Sequence, residues 1–254
     1  MDHTARATAR TPALVIYLVD CSDSMDLPFG EGRRIDIVES ALRSAIESMI
    51  RRARKGESVS PRYRIAIYAY SEDVFDLLKF LGGGARRIDE FERANRFPKL
   101  RTLTTTNTAK AFRHAKSLLE TEWRSIADCP APLICHITDG WFTDEDPKDV
   151  ISEIKKMRNS DGPVLVENIF INDRVLTEPI TDVRKWPGIL RDTPLMGEYA
   201  DQLRTFSSPM PQSYRDNINE RSYDLAPGSL MMFPGENAEL VALGFQVTTM
   251  TPVG

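Results

Sequence analysis

The segment Leu14 to Val19, LVIYLV, is apolar at every position and rich in β-branched residues. A strand with one wet face alternates apolar and polar side chains, so an unbroken run must be covered on both faces, as in the interior of a parallel sheet. Ile65 to Tyr70 (IAIYAY), Leu133 to Thr138 (LICHIT) and Val164 to Ile171 also read as strands. Between these runs lie stretches of helical period. Val38, Ala41, Leu42, Ala45, Ile46, Met49 and Ile50 form one apolar stripe, Ala111, Phe112, Ala115, Leu118 and Leu119 a second, and Val150, Ile151, Ile154 and Met157 a third. Thr106 or Asn107 is placed to cap the second helix, and Asp146-Pro147 to open the third. Strand alternating with helix predicts an α/β fold: a doubly wound, mostly parallel six-stranded sheet with helices on both faces, Rossmann-like in its winding. Val74 to Phe80 follows the second strand so closely that it should return as a hairpin partner, the one antiparallel strand.

A chain of 254 residues is within reach of one core. The expected organisation is a flexible N-terminus over 1–13 and a single domain over 14–254. An irregular insertion at about 172–228, rich in proline and carrying one short helix near Met196 to Phe206, precedes a last strand and helix at about 230–250, with Asn237 as the cap. Gly82-Gly83-Gly84, with arginines around it, could form an anion-binding nest, but no GxxxxGK[ST] pattern occurs, and a loop with a solvated short helix is the simpler account.

The formal net charge of -4 offers no broad cationic surface, so nucleic acid is not an expected partner. No apolar run is long enough to span a bilayer, and the first residues lack the apolar core of a secretory signal, so neither a membrane nor export is expected. Cys21, Cys129 and Cys135 are too few for a disulfide framework and read as reduced thiols. The expected location is cytoplasmic.

The chemistry concentrates at two strand ends. In the doubly wound order 3-2-1-4-5-6, the first and fourth strands are neighbours and ligands sit beyond their carboxyl ends. Those strands run into Asp20 and Asp139, so two carboxylates should converge on one crevice. Ser22 and Ser24 follow Asp20 at alternate positions, and Thr106 adds a hydroxyl if its loop returns to the same edge. Two carboxylates and three hydroxyls form an oxygen-only set of the kind that suits Mg²⁺, with Mn²⁺ or Ca²⁺ as possible substitutes. Such an ion keeps a position to spare, which an Asp or Glu of another protein could fill.

These residues also carry a family resemblance. Asp20-Cys21-Ser22-Asp23-Ser24-Met25 resembles the DxSxS signature of von Willebrand factor A domains, Thr106-Asn107-Thr108-Ala109 their threonine loop, and Ile137-Thr138-Asp139-Gly140 their TDG element. The resemblance implies a metal-ion-dependent adhesion site in which Asp20, Ser22, Ser24, Thr106 and Asp139 hold the metal directly or through water and a partner's carboxylate completes it. Asp23, Met25, Asn107, Trp141 and Phe142 would then form the partner-binding rim, with packing of Trp141 and Phe142 under the insertion as the equal alternative. The stand-alone form resembles bacterial intracellular members linked to tellurium-resistance-type stress response or signalling. The oligomeric state is not legible.

Two other classes compete with this reading. Asp20 could be the nucleophile of a Mg²⁺-dependent aspartyl phosphotransferase, but the haloacid dehalogenase-like pattern wants a second aspartate where Ser22 stands. The metal could instead be purely structural within a scaffold. Cys21 has no histidine tied to it by motif, and Cys135 and His136 face opposite sides of a strand, which is poor zinc geometry. No enzyme is expected.

Overall fold

The computed structural model describes residues 3–140, 142 and 145–254. Its main elements are β1 (Ala13–Asp20), α1 (Arg34–Ala53), β2 (Tyr63–Tyr70), β3 (Val74–Asp76), α2 (Ile88–Ala94), α3 (Thr108–Glu122), β4 (Leu133–Thr138), α4 (Lys148–Lys156), β5 (Leu165–Ile171), α5 (Glu198–Phe206), α6 (Gln212–Asn219), β6 (Met232–Gly235) and α7 (Ala238–Val247). The sheet runs in the order β6-β5-β4-β1-β2-β3, with a two-residue segment, Arg86–Arg87, also paired to β2. That segment is a seventh strand which the sequence pattern does not announce. All pairings are parallel except those of β3 and Arg86–Arg87 with β2.

β1, β4 and β5 are buried at every position, as central strands covered on both faces must be, and this burial takes in the polar residues His136 and Thr138 of β4 and Glu167 and Asn168 of β5. α1 and α7 cover one face, while α3, α4 and α5 cover the other. The Asn107 and Asn237 side chains accept from the Lys110 and Leu240 amides, capping α3 and α7 as their positions predict.

Four segments depart from expectation. The expected third strand is only three residues long, because the Asp76 carboxylate turns the chain by accepting from the Leu78 and Gly84 amides. The lead-in is not loose. Ala7 is fully buried and bridges Val253, and the Ala5 amide donates to Asp161. The 172–228 segment holds two helices, α5 and α6, and buries Val175, Trp186, Leu203, Tyr214 and Ile218 against the domain. Helix α4 stops at Lys156, one residue short of Met157, the last position of its expected apolar stripe.

Candidate metal centre

β1 and β4 lie side by side, with Val19 opposite Ile137, so Asp20 and Asp139 emerge at the same sheet edge. After Asp20 the chain tightens into a single 3-10 turn, Asp23–Asp26, begun by the Ser22 amide donating 2.9 Å to Asp20 Oδ1. This turn aims Ser22 and Ser24 inward, their hydroxyls 3.1 Å apart. Ser24 donates to Asp139 Oδ1 at 2.6 Å, so its proton is committed and Ser22 is the donor between the two serines. Thr138, one residue before Asp139, donates to Asp20 Oδ2 at 2.8 Å.

Asp20, Ser22 and Asp139 are buried, and half-buried Ser24 and Gly140 form the opening. Burial, reinforced by the charge of Asp139, pushes the Asp20 carboxyl up to about 6 against the pull of its bonds from Ser22 and Thr138. Its ionised form is therefore held at a cost that a neighbouring cation relieves.

Thr106 is buried in a loop pinned to the same edge. The Leu103 amide donates to the Cys21 carbonyl at 2.6 Å, the Asp23 amide to Thr104 at 3.2 Å and the Asn107 amide to Ser71 at 2.8 Å. Direct hydrogen bonds thus join Asp20, Ser22, Ser24 and Asp139, and backbone bonds hold the Thr106 loop against their turn.

The expected rim is less uniform. Asp23 is exposed and Asn107 is occupied as the α3 cap. Met25 is a correction: the 3-10 turn carries it into the core, fully buried, where it can touch no partner. Phe142 meets Tyr199 of α5 edge-on at 6.1 Å, which is packing against the insertion. Trp141 lies outside the described residues. Leu27, just past the turn, is 49% exposed and was not legible as a rim residue.

Neither thiol nor imidazole serves the site. Cys21 faces the core, and burial pushes its thiol up to about 12. His136 points away, with Nε2 2.7 Å from the Tyr70 hydroxyl and Nδ1 2.9 Å from Asn168 Oδ1.

Two residues at the site lie outside the expected ligand set, Thr138 although it belongs to the TDG element and Arg34 altogether. Thr138 steadies Asp20, and Arg34, the first residue of α1, donates from Nη1 to Asp139 Oδ2 at 2.8 Å. The one available signal for Arg34 is a basic residue in the first turn of a helix, where the backbone dipole disfavours it.

The donor chemistry fits a hard divalent ion: carboxylate and hydroxyl oxygens converge, and the Arg34 guanidinium is bound to Asp139 alone of the two carboxylates, which together outnumber its single charge. Among the described residues no group of three or more His, Cys, Asp or Glu side chains gathers elsewhere or here, so any ion would rely on the hydroxyls for much of its shell.

No protein-family model matches the chain, and no curated protein matches it in sequence. Solved structures do. The PilB minor pilin of Streptococcus sanguinis superposes with a TM-score of 0.54 at 12% identity over 94% of this chain and 61% of that one. The fold is von Willebrand A-like. BatB of Bacteroides thetaiotaomicron is similar at a TM-score of 0.47, 13% identity, and 94% and 98% coverage of the two chains. Proximal thread matrix protein 1 from the mussel byssus, in a form with a zinc-occupied MIDAS motif, gives 0.45 and 12%, over 65% of this chain and 37% of its own. This chain therefore spans less than two thirds of the pilin and of the mussel protein.

Proposed function

We propose that the chain is a metal-dependent protein-interaction module, a binding site and not an enzyme. The observation that carries this reading is the Ser24 to Asp139 hydrogen bond of 2.6 Å, which closes oxygen donors 115 residues apart into one cluster at the ends of β1 and β4. Asp20, Ser22, Ser24 and Asp139 would hold the ion, with Thr106 joining from its loop. Mg²⁺, or Mn²⁺ or Ca²⁺ in its place, supplies a hard Lewis-acidic centre able to accept a carboxylate oxygen of a partner protein. Thr138 and the Ser22 amide fix the Asp20 carboxylate, and exposed Asp23 and Leu27 flank the approach. Catalysis by a nucleophilic Asp20 is disfavoured because both of its oxygens are engaged by internal donors and both ring nitrogens of His136 are engaged by Tyr70 and Asn168.

The setting we propose is cytoplasmic, in keeping with three buried free thiols, with a role in bacterial stress response or signalling. No helix among the described residues is long and apolar enough to cross a membrane.

The test is affinity capture from lysate in Mg²⁺ and in EDTA, using the native chain and the Asp20→Ala and Asp139→Ala variants. Partners retained only by the native chain in Mg²⁺ support the proposal. Partners indifferent to both changes indicate a scaffold, and release of phosphate from a phosphomonoester indicates the phosphotransferase.

A further inference from the structure

Arg34 is not a usual companion for a cation site. Its side chain is only 10% exposed, and it starts α1, where the positive end of the helix repels it. Its Nε is buried with no hydrogen-bond partner. Nη1 is bound to Asp139 Oδ2 at 2.8 Å, while the other oxygen of that carboxylate, Oδ1, faces Ser24. Nη2 stands 4.0 Å from Oδ2 of Asp173, whose side chain is 78% exposed just beyond the end of β5.

We infer that Arg34 is a resident counter-cation, which competes with a divalent ion for Asp139 and transfers to Asp173 when the ion is taken up. The inference rests on the metal-site reading above. A guanidinium cannot escape a second positive charge by losing its proton, so repulsion in a buried site has to be relieved by movement. Asp173 is the acceptor within reach, and the orphaned Nε shows that the present position leaves the guanidinium incompletely satisfied. Because Asp173 opens the 172–228 segment, uptake of the ion would also fix the start of that segment. The site would then be a reversible sensor of the ion and not a permanent holder.

The test is calorimetric titration of the full chain with Mn²⁺, using the native sequence, Arg34→Met, Asp173→Asn and the double variant, each checked for folding by circular dichroism. Arg34→Met should bind Mn²⁺ about tenfold more tightly than the native chain, since a positive charge within a few ångströms is removed. Asp173→Asn should weaken binding by about threefold in the native background and have no effect beside Arg34→Met, because Asp173 acts through Arg34. Equal affinity in the native chain and Arg34→Met overturns the competition and leaves the metal site standing. An Asp173→Asn effect that persists in the double variant overturns the transfer. If Arg34→Met does not fold, an unchanged affinity in Asp173→Asn alone overturns the inference. Absence of Mn²⁺ binding in every chain removes the metal-site reading and this inference together.

Discussion

Glu167 occupies the middle of β5 with neither carboxylate oxygen in an ordinary hydrogen bond, level with Cys135 and Tyr17 on the neighbouring strands. Burial drives its carboxyl well above the usual range. The folded chain holds this proton more tightly than the unfolded chain does. Its contribution to stability is therefore full below the ordinary carboxylate value of about 4.3 and is lost as pH rises above it. Glu167→Gln removes the titration, so the variant's stability relative to the native chain should climb between about pH 5 and about pH 8 in urea denaturation. A constant difference would show that the carboxyl is not held protonated. On the opposite face, His136 obeys the reverse sign. Burial lowers it to about 4, so its contribution is present above the ordinary value of about 6.5 and lost on acidification. Asn168 Nδ2 donates to Ser207, so its oxygen accepts from His136 Nδ1, and Nε2 accepts from the Tyr70 hydroxyl. His136→Leu should cost about 2–4 kcal/mol at neutral pH by stripping both partners, a loss readable from the urea midpoint.

At the scale of elements, α7 lies on β5 and β6 because one of its contact positions has no side chain. A Cβ on Gly244 would sit 2.8 Å from Cδ1 and Cγ1 of Ile169 and 3.2 Å from Cβ of Phe233. Gly244→Ala should therefore destabilise by about 1–3 kcal/mol despite its better helix propensity. Gly32→Ala, whose added atom comes no closer than 3.9 Å to Asp36, should be far milder in the same thermal melt. Elements of this kind were legible wherever apolar periodicity was strong. Leu133–Thr138 has the expected bounds, and the strand order is the common doubly wound one expected from the alternation of strand and helix. Where a single polar contact sets the conformation, pattern has no purchase. Asp76 cuts β3 short, and the turn after Asp20 sends Met25 inward although the motif around it reads as surface. Helix α6 follows Pro209-Met210-Pro211 and buries only Tyr214 and Ile218, too brief a stripe to distinguish from loop. The oxygen donors were recoverable from their spacing after strands. Arg34 was not, since a lone charge carries no period.

For the molecule as a whole, the 172–228 segment decides whether there is one core or a core with an appendage. β6 is only four residues long, so part of the edge of β5 would be left unpaired. Ser208 fills that gap: its amide donates to the Val166 carbonyl at 2.8 Å, its hydroxyl accepts from the Val166 amide at 3.0 Å, and its carbonyl accepts from Met231 at 2.8 Å. Directly before it, Ser207 donates to the Leu203 carbonyl and receives from Asn168, tying α5 to the buried chain that runs through His136 to Tyr70. Leu203 itself is 1% exposed. A segment woven into the sheet edge in this way should unfold with the sheet. Leu203→Ala is expected to lower global stability by about 2–5 kcal/mol, the cost of a cavity in a main core, while leaving one cooperative transition. Native-state hydrogen exchange should report the loss equally at the amides of Ser208, Val166 and Ile169. If protection falls at Ser208 alone and the β5 amides keep theirs, the segment opens separately, and the edge of β5 draws its stability from β6 and β4 without it.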